Sequence, residues 1–366
     1  MKPEQITVIY GNDPFVMTQR LLERIALADQ LPQGTRIALK PNLVVAKPAD
    51  SGATTHPAIV AAIIAYLQEH GFQQLSIIEG SWLGEGTGRA FRICGYEELA
   101  RQYGVPLVDL KGAPTVRRRL GELDLTICRP ALETDFLINL PVLKAHCQTE
   151  LTCALKNLKG CIPDGEKRRY HNLGLHRPIA ALAAAIRPGL TIVDAIAGDL
   201  SFEEGGNPVP MDRIFAGTDP VLLDAYAASL IGLETAAVPY IGLAAGLGLG
   251  SADLSRMILD EINPAEKPSQ PLRLTGQARD LAQWIEARQA CSACYGSLIH
   301  ALYRLKNQGG LAHLPRPIRI GQGFRGVAGP GIGIGSCTQS CANHLPGCPP
   351  AAAAIVRFLS ETGAKK

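Results

Sequence analysis

The sequence predicts an α/β fold, a mostly parallel sheet with flanking helices, plus a small C-terminal cysteine-rich domain. Three observations carry that prediction. Upstream of a proline-rich stretch at 264–271, short apolar runs alternate with helical patterns, the rhythm of strands joined by crossover helices. Beyond it the rhythm stops, and residues 326–356 hold no Asp, Glu, Lys or Arg at all. Five of the chain's cysteines then stand between positions 291 and 348.

The elements follow in order. Residues 6–10 read as a strand, 15–28 as a helix, and 36–39 as a second strand ending in Lys40-Pro41-Asn42. Thr54-Thr55-His56-Pro57 starts a helix, with a Thr cap and Pro in the first turn, and Gly71 stops it. Residues 75–79 form a strand before the glycines 84, 86 and 88, which offer an anion-binding nest but neither a GxGxxG nor a GK[ST] motif. A helix at 96–103 leads to a strand at 105–110, and 117–140 reads as a hairpin followed by a buried strand at 135–140. Helices are expected at 149–158 and 178–185, and strands at 190–196 and 213–216. Asp219-Pro220 caps a helix through Leu230. The prolines at 264, 268 and 271 mark a linker. The expected domains are therefore 1–263, the α/β part, and 272–366, the cysteine-rich part.

Composition excludes several classes. A chain of 366 residues with 46% hydrophobic and 19% charged residues has enough apolar content for large cores and is not globally disordered. A net charge of +3 is too even for a protein that coats nucleic acid, and 5% aromatics argue against a base-stacking platform. The start Met-Lys-Pro-Glu-Gln has no apolar stretch behind it, so no secretory signal is expected. The uncharged residues 235–252 contain Pro239 and many glycines, and read as a buried helix and turn rather than a membrane span. The expectation is a cytoplasmic protein bound to neither nucleic acid nor membrane, in which ten cysteines point to metal or redox chemistry before disulfides.

Cys291-Ser-Ala-Cys294 is a CxxC pair, and Cys337, Cys341 and Cys348 follow, the last in Gly-Cys-Pro-Pro. Four thiolates suffice for a [4Fe–4S] cluster, and a proline after the final cysteine is a feature of bacterial ferredoxin ligation. Glycine-rich wrapping lets backbone N–H groups approach the sulfurs. A structural zinc site is the alternative, although its usual second CxxC knuckle is replaced here by a C-x3-C-x6-C spacing. Unligated buried thiols are the remaining reading. The shaped loops around Cys337 and Cys348 select Cys291, Cys294, Cys337 and Cys348 as metal ligands, with Cys341 as an alternative ligand. Cys94 and Cys128 read as buried structural thiols.

Residues 144–177 carry seven Lys or Arg against three acids. Lys144 and His146 follow an apolar strand, and so belong at its carboxyl end, where open α/β sheets bind ligands. Lys40, Asn42, Lys144, Lys156, Asn157, Lys159, Arg169 and His171 are the candidate substrate-binding groups for a small carboxylate or phosphate. His146 and Asp194 are the candidate catalytic residues, His146 because its charge changes near neutral pH. The competing readings are a solvated basic face and, for Asp194, a turn or cap.

The chain resembles the domain-of-unknown-function 362 family of prokaryotic iron–sulfur centre proteins over most of residues 34–250. The resemblance rests on KPNLV at 40–44, the TTHP helix start, LPVLKAH at 140–146, ALKNLKGCIP at 154–163, IVDAIAG at 192–198 and AGTDPVLLD at 216–224. The CSAC, GIGSC and GCPP segments look like an iron–sulfur appendage found in part of that family, without the CxxCxxC runs of its two-cluster members. The resemblance implies an α/β fold with an iron–sulfur cluster and supplies no reaction. The leading expectation is a redox or Lewis-acid enzyme acting on a small anionic substrate, with a redox partner protein. The alternatives are an electron-transfer or cofactor-assembly protein, and a zinc-stabilised binding module.

Overall fold

Residues 37–41, Ile-Ala-Leu-Lys-Pro, are buried at every position. Successive side chains of a strand point to opposite faces, so this strand is covered on both sides, as a central parallel strand is. Its sheet anchors the molecule. The computed structural model describes residues 1–274, 276–314 and 316–363. They divide into two compact units, Met1–Glu166 with His176–Leu274, and Lys167–Leu175 with the residues after Leu274.

In chain order the strands are β1 (Gln5–Tyr10), β2 (Ile37–Pro41), β3 (Leu75–Glu79), β4 (Leu107–Asp109), β5 (Thr115–Leu120), β6 (Leu123–Cys128), β7 (Phe136–Leu140), β8 (Lys144–His146) and β9 (Glu150–Thr152). They continue with β10 (Leu190–Asp199), β11 (Pro208–Gly217), β12 (Ile258–Glu261), β13 (Ile285–Ala287), β14 (Ile318–Ile320), β15 (Gly329–Ile334) and β16 (Cys341–Leu345). The first unit is built on an eight-stranded sheet of order β12-β1-β11-β10-β7-β2-β3-β4. Only β11 runs against its neighbours, pairing antiparallel with β1 and β10. The fold is thus mixed α/β with a mostly parallel sheet and flanking helices, as expected from the alternation.

One layer of core joins Ile37 and Leu39 of β2 and Ile138 and Leu140 of β7 to Leu21, Leu22, Ile63 and Leu67 on the helices Pro14–Ile25 and Pro57–Glu69. Burying such a side chain fully contributes roughly 1.5–3 kcal/mol. The opposite parity, Ala38 and Lys40 of β2 and Asn139 of β7, is equally buried. That second face carries the polar groups described below.

Three local expectations are corrected. The helix at Pro57 is capped by His56, whose Nδ1 accepts from Ala58 N at 3.2 Å, rather than by a threonine. Thr55 instead ties the loop to the sheet, its Oγ1 donating to Leu140 O at 2.6 Å and accepting from Asn42 N at 2.8 Å. Residues 149–158 do not form one helix. β8 and β9 pair as an antiparallel hairpin, and a short helix, Ala154–Asn157, begins only where Asp224 accepts from Ala154 N and Leu155 N at 2.6 and 3.1 Å. The glycines after β3 form no nest: Gly86 precedes a helix, Thr87–Ile93, and Glu85 takes the N–H groups of Gly86 and Ala46.

The second unit is built on a parallel four-stranded sheet of order β13-β14-β15-β16. The helix Ser292–Asn307 belongs to it, burying Leu298, Ile299, Leu302 and Leu305. Among the described residues no helix is long and apolar enough to cross a membrane.

Candidate functional site

Two polar constellations stand out, one in each unit. In the first unit, the second face of the sheet gathers charge just past the ends of β2, β3 and β7. Lys40 Nζ lies 2.8 Å from Glu79 Oε2, and the two side chains are 0% and 3% exposed. Asn157 clamps this pair to its neighbours. Its Oδ1 accepts from Asn42 Nδ2 at 2.9 Å, and its Nδ2 donates to Asn139 Oδ1 at 2.8 Å. Gly160 is required for the fit, since a Cβ there would fall 2.0 Å from Glu79 Oε1 and 2.6 Å from Lys40 Nζ.

Lys144, on β8, is fully buried, and its acceptors are neutral: Asn42 Oδ1 at 3.0 Å and Ala53 O at 2.5 Å. Burial pushes its ammonium down to about 8. Lys156, by contrast, has a carboxylate, Glu203 Oε1 at 2.6 Å, and also donates to Thr152 Oγ1 at 3.0 Å.

The other Glu203 oxygen, Oε2, lies 2.8 Å from His146 Nε2. His146 Nδ1 accepts from two backbone groups, Gln148 N at 3.0 Å and Thr149 N at 3.1 Å. A ring nitrogen that accepts carries no proton, so the neutral ring is held as the Nε2–H tautomer beside Glu203. Burial pushes His146 down to about 4, against the pull of Glu203, so the ring is neutral at pH 7. Burial works against the Glu203 charge too, yet the Lys156 ammonium, with Lys144 beyond and the neutral His146 ring beside it, holds it ionised below the usual carboxylate range.

Glu203 is delivered by the loop after β10. Asp199 folds that loop on itself, accepting from Ser201 N, Phe202 N and Asn207 N at 2.7, 2.9 and 2.9 Å. Lys47 Nζ then holds its far end at Glu204 O, 2.8 Å away. Asp194 is committed to backbone: Oδ2 accepts from His56 N at 2.8 Å and Oδ1 from Ile196 N at 3.1 Å. Burial pushes its carboxyl up to about 6.

The basic segment does not remain one surface. Lys144, Lys156, Asn157 and Lys159 belong to the first unit, whereas Arg169 and His171 lie on the part of the helix Asp164–Leu173 that belongs to the second. His171 Nε2 accepts from Ser292 N at 3.3 Å, next to Cys291.

In the second unit, Cys291 caps the helix Ser292–Asn307 and Cys294 sits in its first turn. Helix N-termini favour thiolates. Cys337 lies in the short turn Ser336–Thr338, and Cys348 follows Gly347. The two turns are tied together by Ser336 N to Gly347 O at 2.9 Å and Gly347 N to Ser336 Oγ at 3.1 Å. Gly347 has φ +135°, and a Cβ would meet Pro350 Cα at 2.7 Å. As a result Cys291, Cys294, Cys337 and Cys348 line one cavity, with Arg168, Gln322 and Arg325 as its other long polar side chains. Cys294 is pushed up to about 12 by burial and then by the other three cysteines. Cys341 starts β16, is buried, and does not line the cavity. Among the described residues no three His, Cys, Asp or Glu side chains are gathered to hold a metal ion.

Sequence reading missed Glu203, Asn139, Gln322 and Arg325. The first had a signal: two adjacent acids and two glycines in the loop that follows an apolar strand, Phe202-Glu203-Glu204-Gly205-Gly206.

The fold and these two sites describe an α/β protein with a cysteine-lined appendage. Residues 37–229 match the family model described as "Domain of unknown function (DUF362)", and the chain belongs to that family. A thylakoid-associated protein from Synechocystis sp. is 30% identical over 226 residues, which cover 59% of this chain and 69% of that protein. Among solved structures, the lactate racemase apoprotein from Thermoanaerobacterium thermosaccharolyticum matches 60% of this chain and 55% of its own, at 13% identity and a TM-score of 0.38. A crystal structure of a Thermotoga maritima protein matches 64% of this chain and 60% of its own, at 13% identity and a TM-score of 0.40. The chain thus spans less than two thirds of either solved structure. The cysteines at 291–348 lie outside the span matched by the family model.

Proposed function

We propose that this chain is a cytoplasmic iron–sulfur enzyme, with a [4Fe–4S] cluster on Cys291, Cys294, Cys337 and Cys348, acting on a small anionic substrate. The observation that carries the proposal is the single cavity those four thiols line, beside two guanidinium groups. Zinc would draw four sulfurs to about 2.3 Å from one point. A cluster ligates each thiolate through a separate iron, so its sulfurs stand farther apart, and the four thiols here line one cavity. A bound cluster would supply single electrons or a Lewis-acidic iron.

The first unit supplies the groups for substrate and proton. Lys40 and Lys156 are already neutralised by Glu79 and Glu203. Lys144 has only neutral acceptors, so it is the lysine of this face best suited to take a substrate carboxylate or phosphate. His146 holds a proton at Nε2 facing Glu203 and so orients that carboxylate beside Lys156. Lys159, Arg169 and His171 are assigned no step in this reading.

A second reading is favoured by the exposure of Cys348. An electron carrier needs one edge of its cluster near solvent, for a redox partner protein, and needs no substrate group.

Iron and acid-labile sulfide quantitation on anaerobically purified protein, with electron paramagnetic resonance after reduction, tests the cluster. About four of each per chain are expected for a cubane. Protein with neither iron nor sulfide rejects the proposal, and one zinc per chain, stable in air, replaces it with a zinc-stabilised binding module.

A further inference from the structure

Gln322 and Arg325 stand on one short turn that leads into the cysteine cavity of the second unit. The turn is rigidly seated. Gly321 has φ +116°, and a Cβ there would meet Arg288 O at 2.1 Å, so only glycine lets the chain pass so close. Gln322 N bonds Gln289 O at 3.3 Å and Gly323 N bonds Arg288 O at 3.0 Å, pinning the turn to the segment just ahead of Cys291. Phe324 is buried beneath it, with the Arg288 guanidinium 4.7 Å from its ring centroid.

From this seat one donor faces sulfur and one cation lines the cavity. Gln322 Nε2 reaches Cys291 Sγ at 3.7 Å, and the same nitrogen is steadied by Arg168 O at 3.1 Å. Arg325 lines the same cavity as Cys337, Cys348 and Cys291. The two side chains thus share one cavity with both halves of the cysteine set, the CxxC pair and the downstream pair. No charged residue follows Arg325 until Arg357. Its charge and that of Arg168 are therefore the cationic lining of a cavity otherwise wrapped in glycine, proline and small side chains.

We infer that Gln322 and Arg325 are positioning residues that set the reduction potential of the cluster, raising it by the N–H···S hydrogen bond of Gln322 and by the positive charge of Arg325. The inference rests on the cluster reading above. Reduction adds one electron to a centre already surrounded by four thiolates, and donors and cations beside the sulfurs stabilise the added charge. Arg325 itself is exposed, so water and salt screen part of its effect.

The test is a mediated redox titration of the anaerobically reconstituted full chain, read by the electron paramagnetic resonance signal of the reduced cluster. Arg325→Leu is expected to lower the reduced-to-oxidised ratio at a fixed poise by about threefold, and the Gln322→Leu/Arg325→Leu pair by about tenfold, equal to 59 mV for a one-electron couple. Arg325→Lys keeps the charge without the planar fork and is expected to fall between parent and Arg325→Leu. Midpoints equal to the parent in all three variants overturn the inference while leaving the cluster in place. Should Arg325→Leu take up no cluster, Arg325→Lys and Gln322→Leu decide it, and unchanged midpoints in both overturn it. A parent chain that takes up no cluster overturns the cluster reading itself, and this inference with it.

Discussion

His146 and Glu203 meet at 2.8 Å in the first unit, the imidazole fully buried and the carboxylate nearly so. The ring is neutral because burial outweighs the adjacent negative charge, and the carboxylate is ionised because Lys156 shares it. One buried anion thereby orients a neutral imidazole and neutralises a lysine.

Acid should therefore weaken the fold through His146. Its folded pKa of about 4 lies below the unfolded value near 6.5, so the unfolded chain binds the extra proton first. The stabilisation from keeping the ring neutral is complete above the unfolded value and is lost as pH falls through the folded one. The stability of the parent relative to His146→Gln should fall by about 3 kcal/mol between pH 7 and pH 4. Urea unfolding of both proteins across that range checks it, and a constant difference would contradict the buried neutral ring.

Lys40 and Glu79 should behave as a buried pair whose partners cannot be removed singly. Lys40→Met should cost about 3–5 kcal/mol, because it leaves Glu79 buried without its cation. Adding Glu79→Gln, which removes the buried charge and keeps an acceptor for one of the two N–H groups of Leu43 and Gly80, should recover at least about 1 kcal/mol of that loss. A double-mutant cycle by chemical denaturation gives the coupling, and strict additivity would refute it.

Gly160→Ala should destabilise by about 2 kcal/mol or more, since the new methyl group collides with both members of that pair. Gly165→Ala is the control: it lies in a helix with open space around its Cβ position, and should be neutral or slightly stabilising. Melting temperatures that fall equally in the two variants would argue against a close-packed Gly160.

Cysteine substitutions should separate by position. Cys294→Ala removes a thiol that lines the cavity and should abolish iron uptake on anaerobic reconstitution, whereas Cys341→Ala should leave iron content unchanged. Loss of iron in Cys341→Ala with retention in Cys294→Ala would exchange their roles.

The alternation of apolar strands and helical stretches was enough to identify the α/β class, because a strand buried on both faces must be apolar along its length, as β7 largely is. Asp13-Pro14 and Asp219-Pro220 mark their helices locally, since a cap satisfies N–H groups within three residues of itself. Where the decisive partner is remote, local reading stops short. Residues 149–158 carry helical propensity, yet the helix starts at Ala154 because Asp224, 70 residues away, takes its first N–H groups. Glu203 reaches His146 only because Asp199 curls the intervening loop. The basic segment showed its charge in the sequence, but not that Lys40 and Lys156 would be neutralised by acids from β3 and the loop after β10, nor that Arg169 would belong to the other unit. Residue type and spacing thus determined which groups are available for chemistry. Burial and long-range pairing, which depend on what the folded chain places opposite each charge, decided which of them remain free to act.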